Sequence, residues 1–161
     1  MSFATSTFRR AGDFGRQPNS IKKKILVVDD DAVVLRSLTI KLQANGFDVL
    51  IAKDGGEAIC TVRTERPDLI LLDISFPVNV NTVSWDGFLI MEWLKRIEEA
   101  DQVPIIVISS GNSEKNKLRA KEAGAAAFFH KPICHDELFA YIRRKLTMKS
   151  SPAGRVSPAR S

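Results

Sequence analysis

A chain of 161 residues with 44% hydrophobic content is long enough to build one domain with its own core and short terminal arms. The formal charge of +5 is unevenly divided: residues 1–24 hold +5, residues 143–161 hold +6 and the body between them −6, which argues against a nucleic-acid surface on the body. With no apolar run of 18 residues, no signal-peptide core and two cysteines outside any ligand spacing, the composition excludes a membrane span, secretion, a disulfide scaffold and a zinc site, and implies a cytoplasmic protein.

Residues 1–21 mix Ser, Thr, Gly, Arg and Gln without an apolar period and are expected to form a flexible basic arm. Ile25–Val28 is a short β-branched run, the first strand, followed by Asp29, Asp30 and Asp31. Val33, Val34, Leu35, Leu38, Ile40 and Leu42 recur at roughly helical spacing, with Asp31 as cap and Gly46 as stop. Phe47–Ala52 predicts a second strand, and Asp54-Gly55-Gly56 opens a second helix that faces Ala58, Ile59 and Val62 inward and ends at Pro67.

Leu69–Leu72 is a third strand, apolar at every position and so buried on both faces, and it delivers Asp73 to the sheet edge. After a long connection, a helix from about Gly87 to Ala100 takes Phe88, Leu89, Met91, Trp93, Leu94 and Ile97 as its apolar side. Ile105–Ile108 is the fourth strand, residues 113–123 a lysine-rich helix closed by Gly124, Ala126–Phe129 the fifth strand, and Asp136–Leu146 the last helix, with Leu138, Phe139, Ile142 and Leu146 inward. Residues 148–161, with Ser-Pro-Ala twice, are expected to be a disordered basic tail, leaving 22–147 as the folded unit. Cys60 and Cys134 are read as small apolar packing residues.

Strands alternating with helices require parallel crossovers, and strands without apolar alternation require helices on both sheet faces. The fold class is therefore α/β, a doubly wound five-stranded parallel sheet. In such a sheet all carboxyl strand ends share one rim, where ligands bind. That rim receives Asp29 and Asp30, then Asp73, then Ser109 and Ser110, then Lys131. Clustered carboxylates repel unless a cation neutralises them, and hard oxygen donors in an open site suit Mg²⁺. An aspartate can act as nucleophile in phosphoryl transfer, with a hydroxyl and an ammonium opposite to hold the other oxygens. Taken singly, each residue has a plain structural use: Asp30 or Asp31 as helix caps, Lys131 as a surface lysine, Phe128 as core. The ordered set on one rim is what carries the chemistry.

The series Ile25-Leu26-Val27-Val28-Asp29-Asp30, Asp68-Leu69-Ile70-Leu71-Leu72-Asp73 with Pro77, Pro104-Ile105-Ile106-Val107-Ile108-Ser109-Ser110, and Lys131-Pro132 resembles the receiver domain of two-component response regulators over roughly residues 22–147. The resemblance implies a flavodoxin-like strand order of 2-1-3-4-5 and makes Asp73 the phosphoacceptor. Asp29, Asp30, Asp73 and the backbone carbonyl of Ser75 would hold Mg²⁺. Ser109 would be the switch hydroxyl, Lys131 would pair with phosphoryl oxygens, and Phe128 would be the switch aromatic. Lys131-Pro132 is where such domains often place a cis peptide. The phosphoryl donor would be a sensor histidine kinase or a histidine phosphotransfer protein, and the chain would catalyse its own phosphorylation and slow dephosphorylation rather than turn over a separate substrate.

The sequence departs from that family between Pro77 and Asp86-Gly87, where about six extra residues lengthen the loop beside the acceptor. Val78, Asn81 and Trp85 make this stretch a candidate docking loop, since exposed Trp is favoured at interfaces, although lengthening a surface loop is thermodynamically mild. Residues 148–161 are too few for an effector domain, so a stand-alone receiver is expected, signalling to a downstream protein or relaying phosphate, with a homodimer as a further arrangement. The basic arms are read as solvated rather than as nucleic-acid or membrane contacts. An alternative is a haloacid-dehalogenase-like phosphatase with Asp29 as nucleophile, on the opening Asp29-Asp30-Asp31-Ala32-Val33-Val34. It needs a late acidic pair at another strand end, and Asp136 and Glu137 fall in a helix instead. No G-x-G-x-x-G follows the first strand, which removes a dinucleotide site.

Overall fold

The computed structural model describes residues 21–75, 86–111 and 114–149. Five strands, β1 (Lys24–Val28), β2 (Asp48–Ala52), β3 (Leu69–Asp73), β4 (Ile105–Ser109) and β5 (Ala127–His130), pair in parallel in the order β2-β1-β3-β4-β5. Five helices lie between and after them: α1 (Ala32–Ala44), α2 (Gly55–Glu65), α3 (Gly87–Lys95), α4 (Glu114–Glu122) and α5 (His135–Lys149). This is the doubly wound, flavodoxin-like arrangement expected from the sequence.

The sheet is the middle layer, and its alternating side chains feed two cores. Leu26, Val28, Ile70, Leu72, Ile105 and Val107 pack with residues of α2, α3 and α4. Ile25, Val27, Leu69, Leu71, Ile106 and Ile108 pack with α1 and α5. Every residue of β3 and β4 is buried, which is why neither strand shows a polar alternation. Removing one such leucine would cost about 2–5 kcal/mol.

Helix starts follow their caps. Asp31 Oδ1 accepts from the backbone N–H groups of Val33 (2.8 Å) and Val34 (3.3 Å), Asp54 Oδ1 from Glu57 (2.8 Å), and Asp86 Oδ1 from Phe88 (3.1 Å). Gly46 and Gly124, both at positive φ, take the chain out of α1 and α4.

Several expectations are corrected. The third helix does not run to Ala100: α3 stops at Lys95, Ile97 turns extended (φ −89°, ψ 124°), and a separate 3₁₀ turn covers Glu98–Ala100, which lets both Ile97 and Ala100 reach the core. Trp93 is 47% exposed, whereas Ile90, left out of the expected apolar side, is buried. The buried set Gly87, Phe88, Ile90, Met91 and Leu94 keeps the 3.6-residue period, and Trp93 falls outside it with Arg96 above its ring. Val33 and Ile40 of α1 are exposed for the same reason. Cys60 and Cys134 are free and exposed rather than packed in the core. The last helix continues to Lys149, because Leu146 is buried and Thr147 Oγ1 bonds the Arg143 carbonyl (2.8 Å), with no Gly or Pro to stop it. The folded part therefore extends past residue 147. Among the described residues, no helix is long and apolar enough to cross a membrane.

Candidate functional site

Strand register assembles the site. Val28 pairs with Leu72, so one further residue sets Asp29 beside Asp73. Asp73 pairs with Ile108, and Ser109 pairs with His130, so the carboxyl ends of β4 and β5 bring Ser109 and Lys131 to the same rim. Lys131 N–H donates to the Ser109 carbonyl (2.8 Å), extending the ladder by one step and fixing where the lysine leaves the sheet. The Lys131-Pro132 peptide is cis, as the resemblance implied.

The two buried carboxylates are held alike. Asp29, 2% exposed, receives the Asp31 N–H on Oδ1 (2.9 Å) and Lys131 Nζ on Oδ2 (3.2 Å). Asp73, 4% exposed, receives the Ser75 N–H on Oδ1 (2.7 Å) and Lys131 Nζ on Oδ2 (2.6 Å). Each acid thus has one oxygen fixed by the backbone two residues on and the other turned to a single shared ammonium. Asp30 is exposed and adds the third carboxylate, and oxygens of Asp29, Asp30 and Asp73 lie within 4.8 Å of one another.

One cation for three carboxylates leaves the site negative, and burial adds its own penalty on the charge of Asp29. Its pKa rises from 3.8 to about 6, first because burial removes solvent and then because of the charge on Asp73, against the lowering effect of the Asp31 N–H and of Lys131. Burial would lower the pKa of Lys131, but its hydrogen bond to Asp73 and the charges of Asp73 and Asp29 outweigh that and hold it above its ordinary value. Three close, hard oxygen donors with an excess of negative charge fit a small divalent cation such as Mg²⁺.

Ser109 is 1% exposed, and its Oγ accepts from the Gly111 N–H (3.1 Å), within its own loop. Phe128 is half-buried, packs on the core side shared with α2, α3 and α4, and lines a cavity of about 340 Å³ with Glu114, Lys117, Leu118 and Lys121 of α4. Of the expected site residues, the structure joins Asp29 and Asp73 through Lys131 by direct contact and sets Asp30 within 4.8 Å of the two acids, with Ser75 bonded to Asp73 and Ser109 on the next strand end. Phe128 stands apart from the acids, on the α4 side of β5. Val78, Asn81 and Trp85, the candidate docking loop, lie outside the described residues, as does Pro77. Asp136 and Glu137 occupy the first turn of α5, so the late acidic pair that a haloacid-dehalogenase-like phosphatase needs at a strand end is not formed by them.

Sequence reasoning missed the partner of Ser75. Its Oγ accepts from the Ser110 N–H (3.0 Å) and pairs with the Ser110 hydroxyl (2.9 Å). The register Asp73 to Ile108, continued by two residues, sets Ser75 opposite Ser110. That register is the signal, and it is visible only once the strands are aligned.

A sequence model of the response regulator receiver domain matches residues 25–143. Response regulator MprA of Mycobacterium sp. (strain KMS) is 35% identical over 136 residues, 84% of this chain and 56% of that protein. Transcriptional regulatory protein PrrA of Mycobacterium tuberculosis is 37% identical over 130 residues, 81% of this chain and 52% of that protein. The chain spans about half the length of the curated relatives it matches. Among solved structures, a CheY-like response regulator receiver domain protein from Methanospirillum hungatei superposes with a TM-score of 0.70 at 29% identity, covering 80% of this chain and 96% of that one.

Proposed function

The chain belongs to the response regulator receiver domain family, and from that premise we propose that it accepts a phosphoryl group on Asp73 from the phosphohistidine of a sensor histidine kinase or a histidine phosphotransfer protein. The observation that carries this reading is the shared ammonium: Lys131 Nζ lies on Oδ2 of Asp73 and of Asp29 at the rim where the three carboxylates converge. In the transfer, an Asp73 oxygen attacks phosphorus, a P–O bond forms, the N–P bond breaks and its electron pair returns to the imidazole. The product is an acyl phosphate.

Asp29, Asp30, Asp73 and the Ser75 carbonyl are the residues that would hold Mg²⁺. When bound, Mg²⁺ neutralises charge between the carboxylates and the phosphoryl oxygens. Lys131 keeps Asp73 oriented before transfer and pairs with a phosphoryl oxygen after it. Asp29 and Asp73 are pinned by backbone N–H groups, so the nucleophile is positioned before the donor arrives. Ser109 leaves Gly111 to bond the new phosphoryl group, and the rearranged rim reaches Phe128 through β4 and β5, shifting a two-state equilibrium. The output is a contact with a downstream protein, or with a second copy of the chain. The setting of this exchange is the cytoplasm. The loop at 78–86 would tune which kinase docks.

Incubating the chain with acetyl phosphate and Mg²⁺, then mapping the mass increase, tests the assignment. Modification of Asp73, abolished by Asp73→Asn and by chelation, is expected. A covalent intermediate lost in Asp29→Asn but kept in Asp73→Asn would replace this reading with the phosphatase one.

A further inference from the structure

Resting on the reading of Asp73 as acceptor and Ser109 as the moving hydroxyl, we propose that Ser75 and Ser110 form a latch that holds the loop after β4 in its unphosphorylated arrangement. The loop is fixed at two neighbouring points. Ser109 Oγ, buried, is tied to Gly111 N–H at 3.1 Å. Ser110, exposed, gives both its N–H (3.0 Å) and its hydroxyl (2.9 Å) to the side chain of Ser75, 35 residues earlier in sequence. Ser75 is in turn fastened to the acceptor, since its own N–H sits on Asp73 Oδ1 at 2.7 Å. A chain of bonds therefore runs from Asp73 through Ser75 to Ser110, adjacent to Ser109.

To meet a phosphoryl oxygen on Asp73, Ser109 must give up Gly111. Ser110 is the residue joining those two, so the backbone movement that frees Ser109 draws Ser110 away from Ser75. Both latch groups are exposed and can rebond to water, so each bond is worth only a modest amount. That is the strength a switch requires: enough to bias the resting state, small enough for a charged ligand to overcome. The latch also occupies the Ser75 hydroxyl, one of the few side-chain oxygens beside the acceptor.

The test uses beryllofluoride, a stable mimic of a phosphoryl group, titrated with saturating Mg²⁺ into the full chain. Ser75→Ala removes the acceptor of both latch bonds and Ser110→Ala removes only one. Apparent beryllofluoride affinity should rise about fivefold in Ser75→Ala, by a smaller factor in Ser110→Ala, and no further in the double variant than in Ser75→Ala. Mg²⁺ affinity without beryllofluoride should be unchanged in Ser110→Ala. Unchanged or weakened beryllofluoride binding in Ser75→Ala, or two effects that multiply in the double variant, would overturn the latch. A wild-type chain that binds no beryllofluoride overturns the acceptor reading itself, and the latch with it.

Discussion

Lys131 Nζ lies 2.6 Å from Oδ2 of Asp73, the shortest ion pair among the described residues, and the same ammonium reaches Asp29 at 3.2 Å. The two acids are almost fully buried and the lysine only partly so. Lys131→Met should therefore do two opposite things. Without metal at pH 7 it strands two buried carboxylates, which should lower stability by about 2 kcal/mol, less than for a fully buried pair because the lysine is partly solvated. It also removes a competing positive charge, so Mg²⁺ should bind several-fold more tightly and restore most of that stability. Phosphorylation by acetyl phosphate should fall at least tenfold, as the group that orients Asp73 is gone. Urea unfolding with and without Mg²⁺ checks the first two points; a loss of stability that Mg²⁺ leaves untouched would show that Lys131 serves packing instead.

The raised pKa of Asp29 gives stability a defined pH dependence. With a folded value of about 6 against 3.8, the folded chain keeps a proton between those limits that the unfolded chain has lost. The contribution is full below about pH 4, declines as pH rises toward 6 and is gone above it. Metal-free protein should accordingly be less stable at pH 7 than at pH 5, by on the order of 1 kcal/mol once solvent screening at the open rim is allowed for. Asp29→Asn should flatten that slope. Mg²⁺ requires the ionised acid, so its affinity should be about tenfold weaker at pH 5 than at pH 7. Thermal unfolding in chelator and calorimetric Mg²⁺ titrations at the two pH values decide it.

Three consecutive acids after β1 have separable tasks. Asp31 Oδ1 caps α1 by accepting from Val33 and Val34, while the Asp31 backbone N–H holds Asp29. The Asp30 carboxylate has no hydrogen bond among the described residues and lies in the acidic cluster. Asp31→Ala should cost about 1 kcal/mol of stability and leave Mg²⁺ affinity within a factor of two. Asp30→Asn should leave stability alone and weaken Mg²⁺ about tenfold. If the two variants exchange effects, Asp30 is the structural acid and Asp31 the ligand.

How much of this could be read from the residues depends on the length scale of the signal. β3 and β4 were legible because five successive buried positions leave an unbroken apolar run ending in Asp73 or Ser109. The site followed, since parallel strands put their ends on one rim whatever their exact register. What failed was decided by geometry between elements. Hydrophobicity points Trp93 inward, but Ile90 holds that place by helical period, and Arg96 lies over the exposed indole. The break after Lys95 depends on Ile97 and Ala100 both reaching the core, which no local residue announces. Ser75 and Ser110 are separated by 35 residues and meet only through the β3–β4 register.

Gly87 shows how tightly that rim is built. It opens α3 directly after the Asp86 cap, and a methyl group placed on it would lie 2.4 Å from the Cα of Ile74 and 2.9 Å from its Cβ and Cγ2. Ile74 follows Asp73, and its N–H is committed to the Ile108 carbonyl at 3.0 Å, so it cannot retreat without pulling the acceptor strand from β4. Alanine ordinarily favours a helix by up to about 1 kcal/mol over glycine. Here the clash is with backbone, and overpacking of that kind costs about 1–3 kcal/mol. The clash should win, so Gly87→Ala is expected to lower stability by about 2 kcal/mol. It should also slow phosphorylation by shifting Asp73 and Ser75 together. Gly56, in the first turn of α2 and one residue further from its cap than Gly87 is, would set its methyl only against Asp54 Oδ1 at 3.3 Å. Gly56→Ala should stay within about 0.5 kcal/mol of wild type and be phosphorylated normally. Equal losses in the two variants would mean that the helix start, and not its contact with Ile74, is what glycine serves.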